Sequence, residues 1–244
     1  MENNYRNRIY KNYVTARSTS LAPDTINGLK PREPFLLHII NHLFPKEKNI
    51  QILDLGCGYG GLIYLAQKMG YQNIKGVDAS MEQIQAAQKL GIRNVEQLDI
   101  FDALKKELDG NLDVVITIDV IEHFNKNELI TLIDEVQRVL KPGGRWIIHV
   151  PNGESPFASR NFFWDFTHEL AFTHTSISQI MYASGFSKVQ CFEDKPITHG
   201  IKSGIRRIGW EVIRLIFRFY LTIETGDFAK DAILSQNMLV LVIK

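Results

Sequence analysis

Short apolar runs recur along the chain, separated by segments whose apolar residues return every three or four positions. The run NIQILDL, residues 49–55, predicts a buried strand that ends at a glycine cluster. Residues 62–69 predict a helix, and NIKGVD, 73–78, a second strand. Ser80 predicts an N-cap for a helix over 81–90 that Gly91 stops. Residues 94–98 predict a third strand, and LDVVITI, 112–118, a fourth that is apolar almost throughout. A helix over 128–140, stopped by KPGG, leads to a fifth strand at 145–150. Strands of this kind alternating with helices predict a parallel sheet covered on both faces.

After Pro151 the rhythm changes. Residues 152–175 read as an aromatic-rich loop, 176–183 as a helix ended by Gly185, and 186–192 as a strand. Residues 196–235 read as an insertion with a helix over 204–221, and MLVLVI, 238–243, as a closing strand. In the inserted helix Ile205, Ile208, Val212, Leu215, Ile216 and Phe219 share one side. Arg207, Arg214 and Arg218 fall opposite, with Trp210 between. Such a helix can pack on its own domain, cover a pocket, form a dimer seam or lie on an anionic membrane surface. Residues 1–46, with YRNRIYKNY and a helix over 34–43, read as a helical lid whose Tyr5, Tyr10 and Tyr13 can stack on a ring. The expected division is a lid at 1–46, a cofactor-binding core at 47–152, and an acceptor-side region at 153–244 belonging to the same domain.

Composition narrows the function classes. The chain has 244 residues, 45% of them hydrophobic, and a net charge of +1, which disfavours nucleic acid bound through global charge. Cys57 and Cys191 show neither metal-ligand spacing nor a disulfide framework, as expected in a reducing cytoplasm. The first residues lack the apolar core of a signal peptide. The most apolar stretch, 208–223, is interrupted by Glu211, Arg214 and Arg218 and is not expected to span a membrane. The expected location is cytoplasmic, with peripheral contact at the inner membrane face through 204–220 left open. Oligomeric state is not legible.

The chemistry begins at ILDLGCGYGG, residues 52–61. A glycine-rich turn between strand and helix lets a ligand approach the backbone, and the helix N-terminus adds unpaired N–H groups. Asp78 ends the second strand, where an acid can accept from both ribose hydroxyls of a nucleotide. Asp99 ends the third, where a carboxylate can accept from an exocyclic amine. The loop holds no Lys or Arg for phosphate, so an adenosine ligand without phosphates fits better than a dinucleotide. An NAD oxidoreductase is thereby the most distant reading.

Taken in order, ILDLGCGYGG, GVDAS, LDIFD, VVITIDVIEHF and LKPGGRWIIHVPN resemble the motifs of class I S-adenosylmethionine-dependent methyltransferases. The resemblance implies a Rossmann-like α/β fold: a seven-stranded, mostly parallel sheet whose last strand is antiparallel. It implies S-adenosylmethionine as cofactor, with Gly56, Cys57, Gly58 and Gly60 lining its methionine part. It places Asp78 on the ribose, Asp99 and Ile100 at the adenine, and Asp119 and Val120 beside the sulfonium. Asp54 and Ala79, inside the same motifs, complete the expected cofactor set.

Methyl transfer is an in-line displacement in which the protein aligns the nucleophile, worth up to roughly 7–11 kcal/mol. For a hydroxyl acceptor a base adds about 10² to 10⁴ in rate. The segment RNFFWDFTHELAFTHTSISQIMYASGF resembles the D-x-T-H-x-x-x-F-T segment of methyltransferases from polysaccharide, O-antigen and secondary-metabolite clusters, at Asp165, Thr167, His168, Phe172 and Thr173. This implies O-methylation in polysaccharide biosynthesis, on a small-molecule or lipid-linked glycan acceptor. His168, oriented by Asp165, and His123 are the candidate bases, since an imidazole with pKa about 6.5 takes a proton near neutral pH.

Asp119, Glu122, His123 and His168 also resemble the E-x-x-E-H plus distal His cluster of ubiquinone-pathway O-methyltransferases, which use a divalent cation. That resemblance keeps open a cation-assisted quinol or small-phenol O-methyltransferase. A third reading, from another class, is a non-catalytic cofactor-binding sensor or scaffold. His38 and His42, four apart on one helical face, are expected to be solvated, and His149, inside the fifth strand, to be structural. His174 and His199 stay undecided.

Overall fold

The computed structural model describes residues 5–10, 22–229 and 231–244. Tyr13, one of the expected stacking residues, lies outside them. The chain opens with α1 (Tyr5–Tyr10) and α2 (Glu33–Leu43), then alternates: β1 (Ile52–Leu55), α3 (Gly61–Lys68), β2 (Ile74–Asp78), α4 (Met81–Lys89), β3 (Val95–Gln97), α5 (Ile100–Lys106), β4 (Leu112–Ile118), α6 (Lys126–Val139) and β5 (Leu140–Pro151). The acceptor-side region follows as α7 (Ala158–Phe162), α8 (His174–Ala183), β6 (Lys188–Glu193), α9 (Ile201–Thr225) and β7 (Asn237–Ile243).

The strands form one seven-stranded sheet in the order β3-β2-β1-β4-β5-β7-β6. β1 to β5 pair in parallel, while β7 runs antiparallel to both β5 and β6. The strand order reverses between β1 and β4, which opens a crevice at their carboxyl ends, where open α/β sheets bind ligands. The expected fold class is therefore the observed one.

Apolar side chains fill both faces. Leu53, Val115, Trp146 and Ile148 point to the side covered by α5, α6 and α8, where Leu132, Ile133 and Val136 of α6 are fully buried. Ile52, Val114, Ile116 and Ile147 point to the other, against Ile39 and Ile40 of α2 and Leu62 and Ile63 of α3. Each such side chain contributes about 1.5–3 kcal/mol of burial. The stripe on α2 packs on the sheet, which anchors the segment leading into the crevice.

Some boundaries and two helices, α5 and α7, differ from the sequence reading. α5 was not expected: Asp99 caps it by accepting from Phe101 N at 2.8 Å, and its seven residues are too few for a periodic signal. α6 starts earlier than expected because Asn125 and Glu128 form a capping box. KPGG does stop that helix, but as a bulge inside β5, where the pairing with β4 slips between Leu112 and Val114. Ser80 stands at the start of α4 without a side-chain cap; its hydroxyl is buried with no hydrogen-bond partner among the described residues. The expected aromatic loop contains α7 and a bridge between Asn152 and Phe172. Asn152 Nδ2 ties that loop down by donating to the carbonyls of Ile233 and Ser235 at 2.6 and 2.9 Å.

Candidate functional site

At the carboxyl ends of β1, β2 and β4 lies a cavity of about 620 Å³, in the usual range of a small-molecule site. Its floor is the turn after β1. Gly56 sits at φ +75°, and a Cβ there would lie 2.5 Å from Cγ2 of Val120. Gly58 sits at φ +55° with nothing nearer than 3.8 Å, so the space its missing side chain leaves belongs to the cavity. Gly56, Cys57 and Gly58 line the cavity as expected, and Tyr59 joins them. Gly60 does not. It faces Ile92 and Val95, whose methyls would stand 2.9 and 3.1 Å from a Cβ, and it serves instead as the left-handed residue that starts α3. A second cavity of about 510 Å³ lies among β1, β2, β3 and α5, away from the glycine turn.

Three acids ring the floor. Asp54 is buried, with no hydrogen-bond partner among the described residues; burial, then the charge of Asp78, pushes its carboxyl up to about 7. Asp78 accepts from Ser80 N at 2.8 Å and Gly58 N at 2.9 Å, so it shapes the turn that it borders. Burial raises its pKa, and the two N–H donors partly offset that rise. Asp99 lines the cavity with Ile100, with one oxygen occupied in capping α5. Ala79 and Val120 line it too.

Asp119 ends β4 in the left-handed region, φ +56°, uncommon for a residue with a side chain. Its Oδ1 lies 2.6 Å from Nδ1 of His149, and its Oδ2 3.4 Å from Nη2 of Arg32. Burial alone would raise the Asp119 carboxyl, but His149 outweighs it and holds the pKa at about 2. Reciprocally, burial would lower the His149 imidazole, but Asp119, with Asp194 at 3.4 Å from Nε2, pushes it up to about 10. The Asp119 side chain is 44% accessible from the cavity, so water there dilutes both shifts. His149 was read from the sequence as structural; it is also the partner that aims Asp119.

The expected four-residue metal set is corrected on this point. Asp119 is engaged by His149 and Arg32, while one ligand atom each of Glu122, His123 and His168 lies within 4.8 Å of the others. The Glu122 side chain is 0% exposed and neither carboxyl oxygen has a hydrogen-bond partner among the described residues. Burial, then Asp119, raises its pKa well above the usual carboxylate range.

The two imidazoles have defined tautomers. His168 Nδ1 lies 2.9 Å from the carbonyl oxygen of Phe162, which only accepts, so Nδ1 carries the proton. Its Nε2 stands 3.9 Å from Glu122 Oε1. Thr167 Oγ1 donates to Asp165 Oδ1 at 2.6 Å and accepts from His123 Nδ1 at 2.8 Å. Burial, then the neighbouring His168, pushes His123 down to about 4 and keeps it neutral. The rings stand 4.8 Å apart, and the nitrogen left over on each is Nε2. Asp165 therefore positions His123 through Thr167, and the Phe162 carbonyl orients His168; the expected Asp165–His168 pair is not formed. His123, Asp165 and His168 all line the cavity.

Arg6 and Tyr10 of α1, Arg32 before α2, Trp164 and Asn161 complete the wall. Arg6 reaches Glu128 of α6 at 2.8 Å, and Tyr5 donates to Glu169. Arg6, Arg32, Tyr59, Asn161, Trp164 and Thr167 are among the contributors that the sequence reading did not single out as site residues. Thr167 was legible as part of the D-x-T-H segment; Arg32 carried no signal. Elsewhere, His42 Nδ1 bonds to His38 O, His174 pairs with Glu154, and His199 bonds to Ile197 O.

Residues 29–191 match a family described as a methyltransferase domain. Among curated relatives, norajmaline N-methyltransferase of Rauvolfia serpentina is 36% identical over 110 residues, covering 43% of this chain and 37% of its own length. Ubiquinone biosynthesis O-methyltransferase of Pelagibacter ubique is 31% identical over 107 residues, covering 43% of each. The chain thus spans about two fifths of these relatives. A solved SAM-dependent methyltransferase from Archaeoglobus fulgidus shares the fold with a TM-score of 0.65 at 23% identity, over 87% of this chain and 94% of that one.

Proposed function

The chain belongs to the methyltransferase-domain family, and on that premise we propose that it transfers the methyl group of S-adenosylmethionine to a hydroxyl of a glycan or glycan precursor. The cavity fits the cofactor. The opening at Gly58 admits a ligand to the backbone, and the unpartnered, half-ionised Asp54 suits the cofactor's ammonium. Asp78 borders the ribose position, and Asp99 with Ile100 the adenine side. When bound, S-adenosylmethionine supplies the electrophilic methyl.

One observation carries the hydroxyl acceptor. Two imidazoles that line the same cavity each have Nδ1–H engaged, which leaves Nε2 as the atom that can accept a proton. A hydroxyl must give up a proton as it is methylated, whereas an amine attacks with a free lone pair. His123, held at about 4, is a weak acceptor, which leaves His168 to take the proton, with Glu122 Oε1 3.9 Å from the same Nε2. The glycan class rests on the resemblance of the segment around Asp165 and His168. The test is turnover across hydroxyl and amine acceptors, followed as S-adenosylhomocysteine formed. His168→Ala should keep S-adenosylhomocysteine affinity and lower hydroxyl methylation about 10² or more. Turnover of amines only, or unchanged turnover in that variant, overturns the reading. Cofactor binding with no turnover of any acceptor is the signature of a sensor.

A second reading rests on the orphaned Glu122 carboxyl beside those two imidazoles. Glu122, His123 and His168 are a donor set that fits a divalent cation, with Thr167 and the Phe162 carbonyl as outer partners that set the tautomers. A cation there would lower the pKa of a bound hydroxyl, as a quinol or phenol acceptor would use. Metal analysis of wild type and Glu122→Gln, with turnover in excess EDTA, decides it. Full activity without bound metal removes the cation.

A further inference from the structure

α9 is turned inside out relative to the rest of the fold. Over its 25 residues only Ser203 is buried. Ile201, Ile205, Ile208, Val212, Leu215, Ile216, Phe219 and Ile223 recur every three or four positions on one stripe, and Ile213 and Tyr220 widen it. All ten are between 47% and 86% exposed. Arg207 and Arg214, which would ordinarily face water, turn toward the protein. Arg214 Nε lies 2.6 Å from Glu193 of β6, and Arg207 pairs with Glu211 at 3.0 Å. The sequence pattern allowed this helix to pack its apolar side on its own domain; the structure does the reverse.

We propose that this stripe is a docking face for an anionic lipid surface. An exposed apolar face of this size marks an interaction site, because leaving it in water forgoes the burial that stabilises the helices packed on the sheet. Charge identifies the occupant. The chain as a whole is at +1, yet α9 carries Lys202, Arg206, Arg207, Arg214 and Arg218 against Glu211 and Glu224. Lys202 and Arg206 are exposed beside the stripe, where anionic headgroups neutralise them and a second copy of the same helix does not. No described helix is long and apolar enough to cross a membrane, so contact at the interface is the geometry that remains for this face.

The helix is also joined to the mouth of the cavity. Phe217 of α9 lies 6.5 Å from Phe157 in ring-centroid distance. The loop that follows Phe157 carries exposed Phe163, Trp164 and Phe166, and Trp164 lines the cavity. Aromatic side chains at this position suit the headgroup region of a bilayer. A lipid-borne acceptor would then reach the cavity without leaving the surface.

The test is flotation of the full chain with vesicles of phosphatidylcholine alone or mixed with phosphatidylglycerol. Wild type should float with the mixed vesicles and much less with the neutral ones. The triple variant Ile208→Glu, Val212→Glu, Leu215→Glu should lose about 10² to 10³ in partitioning, and Lys202→Glu with Arg206→Glu about tenfold or more. All five positions are exposed and outside the cavity, so S-adenosylhomocysteine affinity and melting temperature should stay at wild-type values and report an intact fold. Failure of wild type to float on either vesicle overturns the proposal, as does flotation that the triple variant retains. A wild-type dimer that the triple variant splits, with no vesicle binding, also overturns it and makes the stripe a seam between copies.

Discussion

His149 and Asp119, thirty residues apart in sequence, meet at 2.6 Å at the carboxyl ends of β4 and β5. The neighbouring strands put them side by side: Ile118 pairs with His149 in the sheet register, and Asp119 N donates to His149 O. A buried imidazolium thereby holds an acid that lines the cavity.

That pair makes stability depend on pH with a defined sign. The folded His149 pKa lies above its unfolded value, so its contribution is complete below about 6.5 and is lost as pH rises through about 10. His149→Gln should cost roughly 1–3 kcal/mol at neutral pH, below the figure of about 3–5 kcal/mol for breaking a fully buried pair because Asp119 is partly solvated. The gap between wild-type and variant melting temperatures should close by about pH 10. A gap that does not narrow between neutral and alkaline pH would show His149 to be neutral.

Asp54 ties cofactor affinity to pH. Burial and Asp78 hold its carboxyl at about 7, so roughly half is protonated at neutral pH, and binding an ammonium selects the ionised form. Affinity for S-adenosylhomocysteine should fall as pH drops below about 7, by up to tenfold per unit, with proton release on binding. Calorimetry in buffers of different ionisation enthalpy measures both. Asp54→Asn should bind more weakly and without this dependence; equal wild-type affinity at pH 6 and 8 would sink the assignment.

Thr167 is a positioning residue. Its hydroxyl joins Asp165 at 2.6 Å to His123 at 2.8 Å, so Thr167→Val should free the His123 ring while Thr167→Ser keeps it. The expected result is a turnover loss of about tenfold in the valine variant, the order of one lost buried hydrogen bond, with the pH–rate profile displaced and serine restoring both. A merely structural role would lower stability and leave the profile in place.

Much of this was readable in advance, and the reason is locality. The strands announce themselves because a doubly covered strand must be apolar almost throughout, as LDVVITI is. The turn after β1 announces itself because Gly56 and Gly58 adopt φ values that other residues resist. Asp78 and Asp99 were legible as strand-end acids, although both spend hydrogen bonds on the backbone as well. Gly60 was misplaced because a glycine in a motif does not say whether its bare face looks at ligand or at Ile92.

The sequence by itself determined the elements, their alternation and the chemistry at the strand ends, since side-chain period and backbone preference act over a few residues. Only the tertiary structure decided which distant groups share a proton or a charge. It set Asp119 on His149 rather than in the Glu122–His123–His168 cluster, and His123 on Thr167, 44 positions away. It also decided that α9 turns its isoleucines outward. Periodicity shows which residues share a face of a helix; which face meets the protein depends on what the rest of the chain presents, and here that is Glu193, which draws Arg214 inward.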